Sequence, residues 1–73
     1  MQIPKGTKLL VHSSRKGIYH GIATEKFDTE KDEWYSIAVD QDKPIQGMSA
    51  DNVWEKGDEI PARRGLCKVT IRK

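Results

Sequence analysis

The sequence predicts a small all-β domain, and three observations carry that expectation. Residues 33–40 hold the clearest strand: Tyr35, Ile37 and Val39 fall on one face at period two, and Trp34, Ser36 and Ala38 fall on the other. Other short apolar runs of strand length recur at close spacing, separated by turn residues. The third observation is size. A chain of 73 residues buries only about 60% of its unfolded surface. It supports one compact core of about a dozen apolar side chains. One domain, 1–73, is expected, organised around the central strand.

Each element follows from local composition. Pro4 and Gly6 punctuate the start, and residues 7–12 read as a strand with Leu9 and Val11 on one face. Lys8, Leu10 and His12 share the other. Residues 13–17 form a polar turn closed by Gly17, which tolerates positive φ. Residues 18–24 form the second strand, where Ile18, His20 and Ile22 alternate with Tyr19, Gly21 and Ala23. A glycine within a strand marks a bulge or a close backbone approach. The charged run 25–33 is the loop of a hairpin leading to the central strand, with Phe27 folding back over the core edge.

Beyond the turn at 40–44, residues 45–48 read as a short strand. Residues 49–56 read as one or two helical turns, with Ser49 as N-cap, Lys56 late and Gly57 as the stop. So short a helix needs Val53 and Trp54 packed on the sheet. Residues 57–58 turn again, and Pro61 limits any strand there. Residues 66–72 form the last strand, with Cys67, Val69 and Ile71 facing one way and Lys68, Thr70 and Arg72 the other. The expected core is Tyr35, Ile37, Val39, Leu9, Val11, Ile22, Val69 and Ile71.

Composition excludes several classes. The five aromatic side chains and the β-branched residues argue against disorder, although 33% of residues are charged. The single Cys67 cannot form an internal disulfide, which makes the reducing cytoplasm the expected location. The first residues lack the apolar run of a signal peptide, and no stretch approaches a membrane span. No cofactor motif is present. His12, His20 and Cys67 together offer two imidazoles and a thiolate, but their spacing is not a zinc pattern. The acids of 25–33 lack the ligand spacing and glycine of a calcium loop. No metal is therefore expected. With no phosphate-cradling loop and no activated serine motif, the expectation is a non-catalytic protein. An enzyme of this size would need an oligomer with a shared pore; a homo-oligomer is left open.

Charge is the strongest functional signal. Residues 1–24 carry Lys5, Lys8, Arg15 and Lys16 and no acid. Residues 25–59 carry all eleven acids against Lys26, Lys31, Lys43 and Lys56. Residues 60–73 carry Arg63, Arg64, Lys68, Arg72 and Lys73 and no acid. The charge therefore runs +4, −7, +5.

The element order resembles that of Src-homology-3-like (SH3-like) β-barrels, including Tudor-like versions, across about residues 5–72. The stretch Gly17-Ile18-Tyr19-His20-Gly21-Ile22-Ala23 is similar to the second strand of such domains. Segments Ser14-Arg15-Lys16-Gly17, Phe27-Asp28-Thr29 with Glu33-Trp34-Tyr35, and Gly57-Asp58-Glu59-Ile60-Pro61 also resemble short proteins of phages and mobile elements. The first resemblance implies a five-stranded barrel with a helical turn before the last strand. It also implies that the first and last strands pair. Tudor-like relatives cage methylated cations with aromatic residues, so the aromatics are read either as such a cage or as core.

Two functions follow. If the terminal strands pair, Lys8, Lys68 and Arg72 share an outer face, with Arg15, Lys16, Arg63 and Arg64 beside it. That is a basic surface for a nucleic-acid backbone, binding weakly and without sequence preference. The rival is a protein–protein adaptor or inhibitor of a mobile element. It would work through Phe27, the acidic hairpin and Trp34, whose phase leaves it exposed, and its −7 segment would mimic DNA.

Overall fold

A computed structural model describes residues 1–47 and 52–72. Among these the secondary structure is all strand, in the order β1 (Gln2–Ile3), β2 (Lys8–Ser13), β3 (Gly17–Ala23), β4 (Phe27–Asp28), β5 (Trp34–Val39), β6 (Ile45–Gln46), β7 (Val53–Trp54), β8 (Glu59–Arg63) and β9 (Cys67–Ile71). Five of them make one antiparallel sheet in the order β8-β5-β3-β2-β9. Two short ribbons, β1 with β4 and β6 with β7, add to it.

The central strand alternates as its sequence requires: Tyr35, Ile37 and Val39 are buried, while Trp34 is 58% exposed. Register extends that inner face across the sheet. Leu9 and Val11 of β2, Tyr19 and Ala23 of β3, and Ile60 and Ala62 of β8 join it. Ile3, Phe27 and Ile45, from the two ribbons, complete the same core. The ribbons thus supply apolar area that five short strands cannot bury alone. Phe27 stacks on Tyr35 with ring centroids 3.8 Å apart and planes at 3°.

The first and last long strands pair as the family resemblance implies, with Val11 opposite Val69 and His12 opposite Lys68. The barrel, however, is not closed. β8 and β9 are the two edges of the sheet, and an isolated bridge between Arg64 and Cys67 is what joins them. They are linked by a tight turn in which the Leu66 amide donates to the Arg63 carbonyl at 3.0 Å, with Gly65 at φ 93°.

Other expectations are corrected. Of the helical turn assigned to 49–56, residues 49–51 lie outside the described residues. Val53–Trp54 is a strand, with Trp54 opposite Ile45. Pro61 sits within a strand because β8 is an edge, where a missing N–H breaks no ladder. Ile22 lies on the outer face of β3 and is half-buried. Close approach, not side-chain hydropathy, sets the inner face there: a Cβ on Gly21 would overlap Ile37 Cγ2 and lie 3.2 Å from the Ala38 carbonyl. Val69 is half-buried against the core, and Ile71, on the edge strand, is exposed.

Candidate nucleic-acid interface

The β2–β3 turn presents Arg15 and Lys16 on a fixed scaffold. Ser13 Oγ accepts from the Arg15 amide at 3.3 Å and from the Lys16 amide at 3.2 Å. Gly17 takes φ 74°, which a side chain would disfavour. The Ser14 amide donates to the Leu66 carbonyl at 3.5 Å, tying this turn to the β8–β9 turn. Among the described residues neither Arg15 nor Lys16 has a carboxylate partner. Lys16 Nζ instead lies 4.9 Å from the Trp54 ring centroid, a cation–π contact.

The other basic residues fare differently. Arg63 donates Nε and Nη2 to the two oxygens of Asp32 at 2.8 and 3.0 Å. Those bonds, then the nearby charge, hold the Asp32 carboxyl below the usual carboxylate range. The Arg63 guanidinium also sits 5.6 Å from the Trp34 ring centroid. Arg64 Nη1 donates to the Glu30 carbonyl at 2.7 Å. Arg72 Nη2 donates to Asp40 Oδ2 at 2.7 Å and to the Gly21 carbonyl at 3.1 Å. Its Nη1 is 3.2 Å from His20 Nδ1, which must accept because a guanidinium only donates. The acidic middle segment thus folds onto the basic C-terminal one, and Arg63, Arg64 and Arg72 are engaged within the molecule.

Lys8 and Lys68 do share the outer face of the β2–β9 pair, and both are exposed. Lys68 lies opposite His12, and Lys8 is four residues along the strand from His12. Their backbone positions are therefore about 14 Å apart. With Arg72 turned to Asp40, this face carries a thinner charge than the sequence pattern implies.

A cleft of about 380 Å³ opens beside the dibasic turn. Ser13, Arg15 and Lys16 form one wall, Trp34, Pro61 and Leu66 another, and Tyr19, Ile60, Ala62 and Cys67 also line it. No acid lines it. On the far side of the turn, Arg15 and Lys16 also border a smaller depression of about 240 Å³ with Gly47, Asn52 and Trp54. Two tryptophans thus flank one pair of cations. The alternation of β5 makes the exposure of Trp34 legible in the sequence. The roles of Trp54 and Leu66 carried no sequence signal, because loop contacts place them.

The remaining candidates lie elsewhere. Phe27 is buried against Tyr35 and supports the hairpin from beneath. His12 and His20 lie on the outer face and Cys67 on the inner one, where its Sγ is 3.5 Å from Tyr35 Oη. Among the described residues no three potential metal ligands gather. Burial, with Cys67 nearby, pushes the Tyr19 phenol up to about 12. Burial also raises Tyr35, followed by its hydrogen bond to Cys67. No helix among the described residues is long and apolar enough to cross a membrane. No protein-family model, curated protein or solved structure matches this chain.

Proposed function

We propose that this protein is a non-catalytic binding module that contacts a nucleic-acid backbone through the Arg15–Lys16 turn and the cleft beside it. The observation that carries the reading is the cleft's lining. In a chain with eleven acids, this surface shows two unpaired cations, an exposed indole and no carboxylate among the described residues. Lys8 and Lys68 add weaker positive potential on the outer face. Arg63 acts by backing Trp34, and Arg64 and Arg72 act by holding the fold. Backbone contact by a few cations is weak, salt-sensitive and tolerant of sequence.

The order β8-β5-β3-β2-β9, with the first and last long strands paired, supports an opened Src-homology-3-like scaffold as the fold relationship. The lone Cys67 fits a reducing compartment such as the cytoplasm.

One observation favours a second reading. Trp34, Leu66 and Pro61 are all exposed and border the same cleft, which also suits a protein partner. Titration of a labelled oligonucleotide at low and at physiological salt separates the two. Two to four phosphate contacts predict affinity falling with log salt at a slope of about −1.4 to −2.8 on a single strand. Absence of binding at low salt would leave the protein-partner reading in its place.

A further inference from the structure

We infer that the nucleic acid taken by this site is single-stranded, with one unpaired base stacked on Trp34 while Arg15 and Lys16 hold the adjoining phosphates. The inference rests on the nucleic-acid reading above and narrows it to a strand form.

Trp34 is built as a platform. Its position in β5 points it away from Tyr35, Ile37 and Val39, so the core does not consume its ring. The Arg63 guanidinium lies over the indole, 5.6 Å from the ring centroid, and Asp32 fixes Arg63 through two hydrogen bonds. The ring is therefore positioned before any ligand arrives, and little side-chain entropy remains to be lost on binding. With one face towards the guanidinium and 58% of the residue exposed, surface remains for a second planar group.

The cleft's dimensions and chemistry suit one base. A volume of about 380 Å³ is at the small end of ligand sites. Its lining is largely apolar, with Ser13 and Ser14 hydroxyls at the turn side. Among the described residues its lining holds no amide or carboxylate side chain to read a base edge, and with Arg15 and Lys16 taken up by phosphates the recognition tolerates any base. A duplex keeps its base faces within the stack and shows a protein phosphates and groove edges. A single strand exposes π-faces to an aromatic side chain. Phosphate contacts alone would explain Arg15 and Lys16 but leave Trp34 without a role. The second depression, with Trp54 beneath Lys16, continues the same pattern on the other side of the cations. A strand crossing the turn meets indole, cations and indole in succession.

The test compares three labelled ligands of equal length at one low salt concentration: an oligothymidine, a duplex and an abasic sugar–phosphate strand. The stacking of one base predicts that oligothymidine binds about 5- to 150-fold more tightly than the abasic strand. Trp34→Ala should remove most of that preference, leaving at most what Trp54 supplies, and Trp34→Phe should keep a larger part of it. The salt slope, which counts phosphates, should stay with Arg15 and Lys16. Thermal melts report whether each variant remains folded, and the conservative Phe variant carries the test if the Ala variant does not. Equal, salt-dependent affinity for all three ligands would overturn the single-strand inference while leaving backbone binding intact. No binding to any of them at low salt would overturn both.

Discussion

Arg72 and Asp40 are 32 residues apart in the chain, and Arg72 Nη2 donates to Asp40 Oδ2 at 2.7 Å. The bond ties the end of β9 to the end of β5 by way of β3, where the same guanidinium meets the Gly21 carbonyl and His20 Nδ1. Both side chains are largely shielded, with 19% and 23% exposure. The Arg72 Nε is buried and has no acceptor among the described residues. Shielding keeps salt from screening the pair fully, so it acts in the fold and not as a docking charge. Arg72→Ala is therefore expected to lower the melting temperature while leaving the salt slope of oligonucleotide binding unchanged. A flattened slope with unchanged melting would return Arg72 to the binding surface.

The same pair sets a pH dependence. The hydrogen bond from Arg72, then its charge, holds the Asp40 carboxyl below the ordinary value. A depressed carboxylate contributes stability that is fully present above the unfolded-state pKa, about 3.9. That contribution is lost as pH falls from there through the folded-state value. Urea denaturation of the native protein and of Asp40→Asn should show a stability gap above about pH 4 that narrows below it. A gap that persists unchanged into acid would mean that this carboxylate is not coupled to folding.

The two tyrosines predict behaviour at the alkaline end. Burial raises both phenols, Tyr19 to about 12 from 10.0. A raised phenol favours the folded state's protonated form. Stability is therefore intact below the unfolded-state value near 10 and declines as pH rises from there towards the folded-state value. In ultraviolet titration, phenolate absorbance should stay low at pH 10 and rise together with unfolding. Half-developed absorbance at pH 10 in folded protein would show that the rings are more open than their packing indicates.

Gly21→Ala tests the close approach at the centre of the sheet. Alanine suits a strand no worse than glycine by propensity, so a purely local effect would be neutral or stabilising. Here the added methyl meets Ile37 Cγ2 and the Ala38 backbone. Overpacking of this kind costs about 1–3 kcal/mol, read as a lower urea midpoint with unchanged m-value. An unchanged midpoint would mean that β3 and β5 separate readily.

How much of this was legible in the sequence depends on range. The faces of β5, the pairing residues of β2, the Ser13–Gly17 turn and the exposure of Trp34 all follow from alternation or turn chemistry within a few residues. The inner face of β3 was not legible, because Ile18 and Ile22 are more apolar than Gly21 and Ala23. Packing against Ile37 decides it instead. β1 and β4 have two residues each, too few for a period to show. Pro61 misled because only the sheet order reveals that β8 is an edge. The basic surface was read from a charge partition that folding partly cancels. Asp32–Arg63 and Asp40–Arg72 join segments 31 and 32 residues apart, and no local pattern announces such pairs. What survives is the turn, where Arg15 and Lys16 have no acid beside them among the described residues.

Binding at that turn can be observed residue by residue. In a two-dimensional NMR titration with a short oligothymidine at low salt, shifts are expected at the Ser13 to Gly17 amides and at the indole N–H groups of Trp34 and Trp54. Arg15→Ala combined with Lys16→Ala should weaken these shifts and flatten the salt slope by about two contacts. Shifts confined to the outer face around Lys8 and Lys68, or none at all with the folded spectrum intact, would contradict binding at the turn.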